Sequence, residues 1–74
     1  EREAITKLID KLTPREQEVM ELVVRGEMNK TIAAVLGTTE RTIKEHRGRL
    51  MRKMGVRSLA ELVRLASKVM TEPR

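Results

Sequence analysis

Apolar and polar residues recur along this chain with a helical period. From Thr39 to Met54, Ile43, Arg47, Leu50 and Met54 fall on one stripe at spacings of three and four, with Met51 at its margin. Arg41, Lys44, Glu45, Gly48, Arg49 and Arg52 fall on the other side. One face suits burial in a small core, and the other is mostly cationic with a glycine gap at its centre. Ile5, Leu8, Ile9 and Leu12 also recur at helical spacing, predicting a linker or N-terminal helical extension over residues 1–12 whose last turn packs on the domain. Val19, Met20, Leu22 and Val23 give a buried face to the next helix. Ile32, Ala33, Val35 and Leu36 give one to a shorter helix. In the last helix Leu59, Leu62, Val63, Ala66 and Met70 suffice for an inward face, and Leu65 lies off that stripe. Leu65 beside Leu62 and Val69 widens the apolar arc into a modest self-association surface. Leu65→Glu is therefore expected to weaken binding to a partner with little loss of fold.

The boundaries follow from capping chemistry. Thr13, Pro14 and Glu16 form a capping box with proline at the first helical position, and Gly26 is the stop. Asn29 is the expected cap of a helix over 30–36, which Gly37 ends. Thr39 caps the helix that Gly55 ends, and Ser58 with Glu61 makes another box. Residues 71–74 read as a tail, with Pro73 discouraging further helix. No strand is convincing, so the expected fold is all-α, with residues 13–70 as one domain. The joint between the second and third of its four helices is short and contains a glycine, as in a helix-turn-helix.

Composition narrows the chemistry. Seventy-four residues allow one domain, and a missing initiator methionine fits a segment of a longer chain. There is no cysteine, one histidine (His46) and one aspartate (Asp10), so a metal site has no ligand set and no cofactor is expected. The glycines stand alone rather than in a phosphate loop, and Ser58 is explained as a cap, so an enzyme has little support. No apolar run is long enough to span a membrane, and the expected location is the cytoplasm. The formal net charge of +5 points to a polyanionic partner. The absence of Phe, Tyr and Trp counts against stacking on single-stranded bases, leaving duplex DNA or an acidic protein surface.

Five fragments in register then carry a resemblance. They are Leu12-Thr13-Pro14-Arg15-Glu16-Gln17-Glu18-Val19, Gly26, Asn29-Lys30-Thr31-Ile32-Ala33, Thr42-Ile43-Lys44-Glu45-His46-Arg47, and Lys53-Met54-Gly55-Val56-Arg57-Ser58. Over about residues 12 to 69 the chain resembles the LuxR-type (GerE-like) helix-turn-helix domain. Ser58-Leu59-Ala60-Glu61-Leu62-Val63-Arg64 is most similar to the output domain of FixJ/NarL-type response regulators. The resemblance implies a four-helix domain that binds double-stranded DNA as a homodimer, in a transcription regulator of a two-component system. Its third helix, about 39–54, would enter the major groove, and its fourth would supply the dimer contact through Leu62, Leu65 and Val69.

Base reading would fall to Lys44, Glu45 and Gly48. Lys44 can donate to guanine O6 and N7, and Glu45 can accept from a cytosine amino group. Gly48 offers no side chain and costs roughly 1 kcal/mol of helix propensity against alanine, which suits a role in close approach. Phosphate contacts would come from Asn29, Lys30, Thr39, Arg41, Thr42, His46, Arg47, Arg49 and Arg52. Plainer roles compete: Asn29 and Thr39 as caps, His46 as a packing residue, Arg47 snorkelling over the core, and Met20, Met51, Met54 and Met70 as core fillers. An upstream receiver domain is the implied controller, and RNA polymerase stands as a further candidate partner. The alternatives are a LuxR-type regulator with a ligand-binding upstream domain, or a basic helical module that binds an acidic protein.

Overall fold

A computed structural model describes residues 2–70, Met70 by its backbone alone. The expected roles of Met70 as a core filler and of residues 71–74 as a tail lie outside the described residues and side chains. Five helices follow one another: α1 (Arg2–Asp10), α2 (Pro14–Val24), α3 (Asn29–Leu36), α4 (Glu40–Met54) and α5 (Leu59–Met70). The described residues form no strand.

Local chemistry sets most of the boundaries. The Glu16 N–H donates to the Thr13 hydroxyl at 3.1 Å, and the Thr13 N–H donates to the Glu16 carboxylate at 2.9 Å, closing the expected box. Gly37 and Gly55 end α3 and α4 in the left-handed region at φ 71° and 72°, where a Cβ would be strained. Past each glycine the chain folds back on the last turn. Thr38 N–H donates to the Ala33 carbonyl at 2.9 Å, and Val56 N–H to that of Met51 at 3.0 Å. Thr39 caps α4, its hydroxyl accepting from the Thr42 N–H at 3.1 Å. At α5 only half of the expected box forms. Ser58 accepts from the Glu61 N–H at 3.1 Å, but the Glu61 carboxylate accepts from the Arg57 N–H at 2.6 Å rather than from that of Ser58.

The core is built around α4. Ile43, Leu50 and Met54 are fully enclosed and meet Val19, Met20 and Val23 of α2, Ile32 and Ala33 of α3, and Leu62 of α5. Met20 and Met54 fill core positions and Met51 packs at its edge, whereas Met28, at 73% exposure, is on the surface. Val35, expected on the apolar side of α3, is also exposed, at 63%. Ile32, Ala33 and Leu36 already complete that helix's inward stripe, and Val35 lies off it.

α1 packs along α5 and also meets α4. Its contact begins well before its last turn, because Ile5 is buried. This docking rearranges the expected faces of α5. Leu62 and Ala66 are buried as expected, but Leu65 is half-buried and packs against the core. Leu59 and Val63 remain exposed, at 44% and 36%. The apolar arc of α5 is thus wider than one neighbour can cover. α1 and the core take the Leu62–Leu65 side and leave the Leu59–Val63 side open. Leu62, assigned to a dimer contact from the sequence, is a core residue with no exposed side chain.

Candidate nucleic-acid interface

The joint between α3 and α4 is Gly37, Thr38 and Thr39, a turn short enough to hold the two helices in contact. α4 is fixed from beneath by its apolar stripe and by one enclosed ion pair. Lys53 donates to the Glu16 carboxylate at 2.8 Å, with the Glu16 side chain 3% exposed and that of Lys53 36%. Burial would raise the Glu16 carboxyl. The Lys53 ammonium, the Thr13 N–H and the nearby His46 more than offset that and hold it below its ordinary value of 4.5. Lys53 is therefore turned toward α2 rather than outward.

His46 also turns inward. Its ring is half-buried, and its Nδ1 is enclosed without a hydrogen-bond partner among the described residues. The packing role suits this placement better than a phosphate contact does.

The outer face of α4 is open. Arg41, Lys44, Glu45, Arg49 and Arg52 are exposed, and Thr42 and Gly48 are partly so. Among the described residues none of these cations is held in an ion pair. Lys44, Gly48 and Arg52 stand one above another at steps of four residues, with Glu45 and Arg49 beside them. Three cations and one carboxylate thus frame the glycine gap.

A second group of candidates gathers at the start of α3. Asn29, Lys30, Glu40 and Arg47 line one cleft of about 520 Å³, so the beginnings of α3 and α4 face a common space. Asn29 does not cap α3. It is the first helical residue, Met28 occupies the cap position, and no side chain satisfies the first turn. The Asn29 carboxamide oxygen instead accepts from the Arg47 guanidinium at 2.6 Å. A charge-assisted bond of this kind is stronger than a neutral one to a backbone N–H, which explains the exchange. The pair orients Arg47, and the free N–H groups of the α3 first turn add partial positive charge. Thr39 is exposed at the start of α4, where its hydroxyl also donates to that of Thr42 at 3.0 Å.

Sequence reasoning missed the Lys53–Glu16 pair and the Asn29–Arg47 pair, since nothing in local spacing signals either. It also missed the open Leu59–Val63 stripe, though that pair's four-residue spacing on a helix was a visible sign. No group of three or more metal-ligating side chains occurs among the described residues, and no described helix is long and apolar enough to cross a membrane.

Comparison with known proteins agrees with this geometry. Residues 10–66 match the GerE profile, described as bacterial regulatory proteins of the luxR family. Nodulation protein W of Bradyrhizobium diazoefficiens is 52% identical over 62 residues, covering 84% of this chain and 27% of that protein. Transcriptional regulatory protein FixJ of Azorhizobium caulinodans is 46% identical over 65 residues, covering 88% of this chain and 31% of that one. Among solved structures, the response regulator StyR superposes with a TM-score of 0.86 at 49% identity, over 90% of this chain and 34% of StyR. Full-length FixJ from B. japonicum gives 0.87 at 39% identity, over 96% and 35%. The chain therefore spans about a third of the length of these relatives.

Proposed function

This chain belongs to the luxR family of bacterial regulatory proteins, is a DNA-binding domain like those of response regulators and not an enzyme, and we propose that it reads a duplex operator through α4 as a homodimer. One observation supports this above the rest. α4 is anchored on one side by its apolar stripe and the Lys53–Glu16 pair, while Lys44, Glu45, Gly48 and Arg52 stand on the other side without intramolecular bonds between their side chains. A rigid helix with an unengaged polar face suits the major groove, where donors and acceptors distinguish all four base pairs. Lys44 and Glu45 are the reading side chains. Lys30, Arg41, Arg47 and Arg49, with the α3 N-terminus and Thr39, hold the phosphates that fix register.

The dimer contact lies on the Leu59–Val63 stripe of α5, the exposed apolar flank, whereas the half-buried Leu65 and Val69 lie on the other flank. Two copies related by a two-fold axis would span half-sites roughly 10 bp apart. In the longer protein an upstream receiver controls pairing. The response regulators among its relatives favour that reading over a ligand-binding upstream domain. RNA polymerase is a partner of the assembled regulator, in the cytoplasm.

Lys44→Ala tests the reading role. It should lower affinity for a selected operator by roughly tenfold or more while changing affinity for unrelated duplex only a few-fold. An equal loss on both would make Lys44 a phosphate contact. No sequence preference in the unsubstituted chain would instead favour an acidic protein as the partner.

A further inference from the structure

Gly48 differs from the other glycines of the chain. Gly26, Gly37 and Gly55 all have positive φ, whereas Gly48 lies inside α4 with ordinary helical backbone. Its conformation does not call for glycine, and glycine weakens a helix. What the missing side chain provides is space on the outer face. That space has an occupant. A Cβ built on Gly48 would have the Arg52 guanidinium, through Nη1, at 3.4 Å, and nothing else outside the local backbone comes as close. Helical side chains lean toward the helix N-terminus, and four residues is a rise of roughly 6 Å, so the Arg52 stem lies back along the helix and its head covers the gap.

We propose that Arg52, laid over Gly48, is a base-reading residue that recognises guanine, with Gly48 as the positioning residue that admits it. The inference rests on the major-groove reading of α4 given above. Arg52 was expected at the rim, on phosphate. The geometry instead brings its guanidinium back to the middle of the reading face, on the Lys44–Gly48 line. Among the described residues no carboxylate pairs with it, so its donors are open to a ligand. A guanidinium presents two parallel N–H donors, and guanine is the base that shows two acceptors, O6 and N7, on its major-groove edge. At 3.4 Å a Cβ alone would make ordinary van der Waals contact with Nη1, but a longer side chain at position 48 would compete for the same space, and in that sense the glycine and the arginine act as one recognition unit.

The test is selection from a pool of random 30-bp duplexes by the unsubstituted chain, Arg52→Ala and Arg52→Lys, with circular dichroism to confirm equal helix content. Arg52 is exposed, so its replacement leaves the core intact. The unsubstituted chain should enrich a motif with a guanine that Arg52→Ala no longer selects. The preference at that position should fall roughly tenfold or more while the other positions persist, and Arg52→Lys should recover part of it. Gly48→Leu should erode the same guanine preference and have no further effect there in the Arg52→Ala background. An unchanged motif for Arg52→Ala, with uniformly lower affinity and a shallower salt dependence, would overturn the proposal and return Arg52 to the phosphates. The recognition-helix reading would survive that result. If the unsubstituted chain enriched no motif at all, that reading would fail and this inference with it.

Discussion

Glu16 is the enclosed charge on which the placement of α4 turns. It belongs to the capping box of α2, yet it also accepts from Lys53 near the far end of α4. One carboxylate thus starts one helix and tethers another. Because its folded-state value is depressed, the unfolded chain binds the proton more readily, and stability rises with pH across that range. The contribution is complete above the ordinary value of 4.5 and is lost as pH falls below it through the lowered folded value. Glu16→Gln keeps an acceptor for the Thr13 N–H but loses the ion pair. With Lys53 partly exposed, the expected cost is about 1–2 kcal/mol near neutral pH, seen in urea unfolding. The difference between the two proteins should shrink as the pH is lowered below 4.5, and a constant difference would remove the ion pair from the account. The box itself was legible in the sequence because its members lie three residues apart. The Lys53 bond spans 37 residues and the Arg47–Asn29 bond 18, so no rule of local spacing reaches them. A cap is the local option for asparagine, so spacing alone assigns Asn29 to one. The guanidinium that takes its oxygen arrives only with the packing of α4 against α3.

At the scale of elements, the positions of α2 to α5 were legible, since stops and caps are local chemistry. What each helix faces was less so. Periodicity gives the width of an apolar arc, but neighbours decide which part is covered. α5 shows this. With residues 1–12 as a linker, periodicity alone leaves the Leu65 side free for association and turns Leu59 and Val63 inward. With α1 docked, Leu65 packs against the core, and Leu59 and Val63 are the apolar residues left exposed. Leu65→Glu, expected from the sequence to spare the fold, should instead cost about 1–3 kcal/mol of stability, because it places a carboxylate against the core. Val63→Glu is the cleaner probe of pairing. It should stay within about 0.5 kcal/mol of the parent in stability. It should also lower affinity for a duplex with two half-sites roughly tenfold and leave a single half-site unaffected. Equal affinity on the two-site duplex would exclude the Leu59–Val63 stripe from the dimer contact. α4 was the most legible element, with its buried stripe and its cationic face both as expected. The exceptions are His46, turned inward, and Arg52, laid back over Gly48; Lys53, which the sequence assigned to neither face, turns toward α2.

At the scale of the molecule, 74 residues with a net charge of +5 hold one small core and one unengaged cationic face. The family is secure, and the way this chain finds a site depends on how that face is built. Phosphate contacts alone give attraction to any duplex, with roughly 0.9 in the slope of log K against log salt for each phosphate neutralised. On the proposed reading, sequence preference comes from the few side chains on the middle of α4, and two-fold symmetry from α5. Both parts of this claim meet in one measurement: selection by the unsubstituted chain from a random duplex pool at moderate salt, then sequencing of the bound fraction. The expected result is an enriched motif of two related half-sites, roughly 10 bp apart. A pool that emerges without enrichment, together with binding that vanishes as salt rises, would contradict the account and reduce the face of α4 to a non-specific basic surface.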